Sequence, residues 1–138
     1  MAGVVDTSTV IALERRGLRP GDDLDQYLGR EVTIASITAS ELLVGVHRTN
    51  SAARRQQREQ FVEWVFNELP ILSFDLHVAR VHAQLAADLA ALGQPLGEHD
   101  LIIAATALAH DREVITHDLR DFSRVPGLIV RQPSGPTP

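Results

Sequence analysis

Four carboxylates stand where an apolar run gives way to a new element. Asp6 follows Val4-Val5, Glu41 follows the stretch Ile34 to Ile37, Asp118 follows Val114 to Thr116, and Asp100 opens the run Leu101 to Leu108. Acids gathered on one edge of a sheet repel one another unless a cation joins them, and hard divalent ions prefer oxygen ligands. The chemistry implied is that of a Mg²⁺ or Mn²⁺ site. Such a site activates a water and offsets the charge that develops on a departing oxygen in phosphoryl transfer. Each acid alone has a plainer use. Asp6 can cap a helix, Glu41 can be the acidic half of a capping box opened by Thr38, Asp100 can favour the dipole of a first helical turn, and Asp118 can start a turn. Four such coincidences at one edge, with Arg120 the only cation expected nearby, favour a shared site.

Composition narrows the chemistry further. All 13 basic residues are arginine and there is no cysteine. Without lysine, the usual phosphate loop, Schiff-base chemistry and a phosphatase of the haloacid-dehalogenase kind lack an essential group. Without cysteine, disulfides, thiolate zinc sites and a cysteine nucleophile are excluded. A formal net charge of −5 argues against a protein that coats nucleic acid by bulk attraction, but not against a nuclease whose metals neutralise a local cluster of acids. At 138 residues and 44% hydrophobic content the chain fits one domain with a real core, expected over residues 1–131. No apolar run approaches the roughly 18 residues of a membrane span, and the amino terminus lacks a signal-peptide pattern, so a cytoplasmic location is expected.

The elements that must position the acids alternate in type. Gly3 to Val5, Glu31 to Ala35, Ile71 to Phe74, Glu113 to Thr116 and Leu128 to Arg131 have the apolar, β-branched character of strands. Helices are expected over Thr9 to Arg16, Thr38 to His47, Ser51 to Leu69, a segment capped by Asp75 and stopped at Gly93, and Glu98 to His110, with a weaker turn over Asp22 to Leu28. This pattern predicts an α/β domain of three layers, a mainly parallel central sheet of four to five strands flanked by helices. Sites in such sheets lie beyond the carboxyl ends of the strands. Gln132 to Pro138 is rich in Pro, Gly and Ser and is expected to be a disordered tail.

Val-Val-Asp-Thr-Ser-Thr-Val at the amino end, Ile-Thr-Ala-Ser-Glu-Leu-Leu-Val-Gly around Glu41, His-Asp-Leu-Ile-Ile-Ala-Ala-Thr-Ala-Leu around Asp100, and Val-Ile-Thr-His-Asp-Leu-Arg-Asp-Phe near the end occur in order along nearly the whole chain. Together they resemble the motifs of PIN-domain ribonucleases, in particular the VapC toxins of bacterial toxin-antitoxin pairs. The resemblance implies that Asp6, Glu41, Asp100 and Asp118 are the metal-binding acids of a Mg²⁺- or Mn²⁺-dependent endoribonuclease. Thr7 or Ser8 and Thr116 match the family's hydroxyl positions. Asp121 is the competitor of Asp118 for the fourth place and is expected in support. The resemblance also implies a homodimer, structured RNA targets such as tRNA or ribosomal RNA, and a VapB-like antitoxin whose carboxy-terminal segment enters the acidic groove. In-line attack by an activated water, with the 3′ oxygen leaving, would give 5′-phosphate and 3′-hydroxyl ends. Two rival readings are a non-catalytic module of the same fold that binds RNA or protein, and a metal-dependent phosphatase of small molecules.

Three further features bear on function. His99-Asp100 and His117-Asp118 resemble the pairs of HD phosphohydrolases, but a hard oxygen site has no need of imidazole, so histidine ligation is not expected. His117 is instead a candidate to contact a phosphate or relay a proton. Arg54, Arg55 and Arg58 form the densest basic cluster, either a solvated face with Arg55 paired to Glu59 or a strip that holds RNA phosphates. Trp64 lies off the tightest apolar line of its helix and is a candidate for facing a partner.

Overall fold

A computed structural model describes residues 2–29 and 31–133. Among them, β1 (Gly3–Val5), β2 (Val32–Ala35), β3 (Ile71–Leu72), β4 (Glu113–Ile115) and β5 (Val130–Arg131) form one sheet. Its order is β3-β2-β1-β4-β5 and every neighbouring pair is parallel. The central strands β1, β2 and β4 are buried along their whole length, as parallel strands covered on both faces must be.

Alternation along the strands feeds two cores. Val5, Ile34 and Ile115 point to one face, where they pack with α1 (Thr7–Arg15), α2 (Leu24–Leu28), α3 (Ser36–His47) and α4 (Ala52–Glu68). Val4, Ala35 and Val114 point to the other, under α5 (Leu76–Ala91), α6 (Glu98–Ala109) and the short α7 (Leu119–Phe122). A strand changes the face of its side chains at every residue, so two neighbours such as Val4 and Val5 serve different layers. The expected three-layer α/β architecture is therefore present. No helix among the described residues is long and apolar enough to cross a membrane.

Local signals set most boundaries. Asp75 accepts the Val78 N–H at 3.0 Å and opens α5, which ends where Gly93 takes a φ of +67°. Ser51 caps α4, and Asp23 caps α2. One expected boundary is wrong in an instructive way. The Thr38-x-x-Glu41 spacing matches a capping box, yet α3 begins at Ser36 with Ala35 in the cap position and no side-chain cap bond. Thr38 is inside the helix and buried, and Glu41 is free for other work. Trp64 also departs from expectation. The stripe of α4 that faces the core is wide enough to bury Phe61, Val62, Trp64 and Val65 together, and Trp64 sits edge-on to Phe61 with ring centroids 5.9 Å apart. It is buried in the chain's own core. α7, which was expected only as a turn, follows Asp118. The tail expected beyond Arg131 lies, from residue 134 onward, outside the described residues.

Candidate active site

The sheet order explains where the acids meet. The chain builds outward from β1 through β2 to β3, then crosses back to add β4 and β5 on the other side of β1. The carboxyl ends of β1 and β4 thus flank a topological switch point, the usual crevice for ligands in an open parallel sheet. Asp6 is the residue after β1, and Thr116 the residue after β4. Asp100 follows no strand, but it lies in the first turn of α6, the helix that leads into β4. Glu41 lies in the second turn of α3, the helix after β2.

Asp6 is 3% exposed and serves two structures at once. Its Oδ1 accepts the Thr9 N–H at 3.2 Å and so caps α1, while its Oδ2 accepts the Ser8 and Thr116 hydroxyls, each at 2.9 Å. Thr116 is a hub, for its Oγ1 also accepts the Asp118 N–H at 2.8 Å. Both of the hydroxyls expected around Asp6 are used: Ser8 on Asp6 itself, and Thr7 on Glu41 Oε1 at 2.6 Å. Asp118 caps α7 by accepting the Asp121 N–H at 3.4 Å.

Two contacts were invisible in the sequence. His99 Nδ1 lies 3.0 Å from Glu41 Oε2, so the carboxylate of α3 is tied to the start of α6. Asp121 is paired with Arg124 at 2.7 Å, which the turn that follows α7 brings back to it. Arg120 is thus not the only cation near the acids. His117 is exposed, and it is its backbone N–H that is engaged, with Thr9 Oγ1 at 3.2 Å.

The acids feel one another. Asp100 has its pKa raised to about 6, by burial first and then by the charges of Asp6, Asp118, Glu41 and Asp121. Asp118 is raised as well, by burial first and then by hydrogen bonding with Asp121. No three acidic or histidine side chains among the described residues close into a ready cage for a metal ion. Unneutralised carboxylates repel one another, and a hard ion that keeps several waters needs only one or two of them in direct contact. Among the described residues, the side chains bonded to Asp6 and Glu41 are hydroxyls, apart from His99. The set fits Mg²⁺ or Mn²⁺ better than a soft or thiolate-bound metal.

The arginines converge elsewhere. A cavity of about 940 Å³, lined by none of the four acids, carries Arg15, Arg19, Arg48, Arg54 and Arg58 on its walls. Arg58 pairs with Glu14 at 3.3 Å. Arg55 does not pair with Glu59; it donates to the carbonyl oxygens of Thr49 at 3.0 Å and His47 at 3.4 Å and so closes the end of α3. Sequence spacing could find Arg54 and Arg58 but not Arg15, Arg19 and Arg48, which arrive from other elements.

A parallel α/β sheet with acids at its switch point defines a class, and the comparisons agree with it: the PIN domain model matches residues 3–128, and the chain belongs to that family. Its relatives place it more narrowly among VapC proteins. Ribonuclease VapC1 of Rickettsia felis is 35% identical over 130 residues, covering 94% of this chain and 95% of that protein. The tRNA(fMet)-specific endonuclease VapC of Salmonella typhimurium is 35% identical over 95 residues, covering 69% and 70%. The crystal structure of VapBC-5 from Mycobacterium tuberculosis, a member of the VapBC family of toxin-antitoxin systems, superimposes with a TM-score of 0.74 at 33% identity over 95% of this chain and 96% of that one.

Proposed function

We propose that this chain is a metal-dependent endoribonuclease toxin, restrained by a cognate VapB-like antitoxin. The observation that carries it is the convergence of Asp6, Glu41 and Asp118 on Asp100, whose carboxyl is raised to about 6 by burial first and then by their charges and that of Asp121. A fold stabilised for its own sake would not keep such repulsion. The donor set supports Mg²⁺ or Mn²⁺, which when bound would lower the pKa of a water and offset charge on the phosphate.

The chain's own residues have separate tasks. Ser8, Thr116 and the Thr9 N–H fix both oxygens of Asp6, so that its orientation is set before any ligand arrives. Thr7 and His99 do the same for Glu41 from opposite sides. Asp118 is favoured over Asp121 as the fourth acid, because Arg124 pairs with Asp121, while among the described residues no cation forms an ion pair with Asp118. Asp121 orders the start of α7 through its N–H. Arg54, with Arg48 on the same cavity wall, would hold RNA phosphates, whereas Arg58 is already paired with Glu14. Arg55 is left out, since its guanidinium is spent on carbonyls, and His117 remains a contact to phosphate by its exposed ring.

The named activity of the Salmonella relative supports tRNA as the substrate class, and the family of the Mycobacterium complex supports an antitoxin partner. Exposed Leu43 and Val44 on α3, with Ile71 in the edge strand β3 and Phe74 just after it, support a homodimer.

The test is cleavage of total bacterial RNA by antitoxin-free protein with Mn²⁺ or with EDTA, beside Asp6→Asn. Discrete Mn²⁺-dependent cuts with 5′-phosphate ends, absent from Asp6→Asn, are expected. Intact RNA from a folded protein, or cyclic phosphate ends, would overturn the proposal.

A further inference from the structure

Thr38 is fully buried, at 0% exposure, one turn before Glu41 in α3. A threonine inside a helix usually donates its hydroxyl to the carbonyl four residues back. Thr106, inside α6, does so to Ile102 at 2.7 Å, and Thr49, just past the end of α3, bonds the Gly45 carbonyl at 2.9 Å. Thr38, in the first turn of α3, has a strand residue, Ile34, four positions back and makes no such bond among the described residues. Its Oγ1 turns sideways to α1, where Thr7 Oγ1 lies 2.9 Å away. Thr7 Oγ1 lies in turn 2.6 Å from Glu41 Oε1.

Proton counting gives this chain a direction. A hydroxyl has one hydrogen to donate and lone pairs to accept with. The short contact from Thr7 to a carboxylate is the charge-assisted one and takes the Thr7 hydrogen. The contact between the two hydroxyls must then use the hydrogen of Thr38. The order is Thr38 to Thr7 to Glu41, from the fully buried side chain outward to the carboxylate at the crevice. With its oxygen already accepting from Thr38, the Thr7 hydroxyl is fixed with its hydrogen toward Glu41. His99 meets the other oxygen, so Glu41 is held at both ends by donors from two different helices.

We propose that Thr38 is a positioning residue of the acidic site: through the Thr7 hydroxyl it holds the Glu41 carboxylate in the orientation that a divalent ion requires. This rests on the metal-dependent nuclease reading. Thr38 touches neither ion nor RNA, and its hydroxyl is replaceable in volume by the second methyl of valine.

The test is calorimetric titration of metal-stripped, full-length protein with Mn²⁺, for wild type, Thr38→Val, Thr38→Ser, Thr7→Val and the double variant Thr7→Val/Thr38→Val. Removing a direct partner of a metal ligand commonly weakens binding about 10- to 100-fold, and Thr38 acts one bond further out, so Thr38→Val should weaken Mn²⁺ roughly 3- to 10-fold. Thr38→Ser should restore wild-type affinity. The double variant should bind no more weakly than Thr7→Val alone, because the two residues act in series. RNA cleavage should lose kcat with KM unchanged. Wild-type Mn²⁺ affinity in Thr38→Val, or losses that add in the double variant, would overturn the inference while leaving the nuclease reading intact. If Thr38→Val does not fold, Thr38→Ala is read by the same outcomes. A wild-type protein that takes up no Mn²⁺ would overturn the nuclease reading and this inference with it.

Discussion

Replacing Asp100 with asparagine should stabilise the metal-free protein while destroying its activity. In the folded chain the carboxyl titrates near 6 against an ordinary 3.8, through burial first and then through the charges of Asp6, Asp118, Glu41 and Asp121. A carboxyl with a raised folded pKa binds more protons folded than unfolded. Its contribution is therefore least harmful below pH 3.8, turns against the fold as pH rises, and reaches its full cost once pH has passed about 6. A rise of this size corresponds to at most about 3 kcal/mol. Asp100 is partly exposed, so solvent screens its neighbours, and the amide that replaces it keeps some of the burial cost; about 1–2 kcal/mol should be recovered. For a chain of 138 residues that is roughly 3–7 °C in Tm. The assay is thermal unfolding in EDTA at pH 7.5 and pH 5.0. At pH 5.0 the unfolded carboxyl is ionised and the folded one mostly is not, so about half of the gain should remain. Addition of Mn²⁺ should reverse the order by raising the Tm of wild type alone. A variant that melts below wild type in EDTA at pH 7.5, or a gain equal at both pH values, would refute the reasoning.

Two other perturbations test how the site is held and how RNA is gripped. A Cβ built on Gly3 meets the Ile115 side chain, with Cγ1 at 2.8 Å, in the middle of the sheet, so Gly3→Ala should cost about 1–3 kcal/mol by overpacking, read as a lower urea midpoint. An unchanged midpoint would mean that Ile115 has room to turn aside. The double variant Arg48→Gln/Arg54→Gln should lower the slope of log affinity against log salt by about 1.4 for single-stranded RNA, since each lost phosphate contact removes about 0.7. Filter binding in Ca²⁺ or with an inactive Asp6→Asn background measures it, and an unchanged slope would take the arginine-lined cavity out of RNA binding.

Much of the fold was legible in the sequence because its signals are local. Asp75 caps α5 and Gly93 ends it, and Val4-Val5 before Asp6 marks a strand running into a site. Asp6 and Asp118 were legible together because each comes just after a parallel strand, and a parallel sheet sends such ends to one edge, whereas Asp100 opens a helix and Glu41 lies in the second turn of one. What failed did so for want of tertiary information. The Thr38-x-x-Glu41 spacing is the same in a capping box and one turn into a helix, and only burial of Thr38 against α1 separates the two. His99 meets Glu41 across 58 positions of sequence, and Arg15, Arg19 and Arg48 reach the cavity of Arg54 and Arg58 from other elements; no periodicity within one element records such meetings. Trp64 was misjudged because a narrow helical stripe was assumed where α4 buries a wide one.

The central claim is that Asp6, Glu41, Asp100 and Asp118 together bind the ion. Anomalous diffraction from crystals soaked in Mn²⁺ tests it directly. The account predicts a Mn²⁺ peak in the crevice between the ends of β1 and β4, within about 2.0–2.3 Å of at least one of these carboxylates. Strong density elsewhere on the chain with none among the four acids would contradict it.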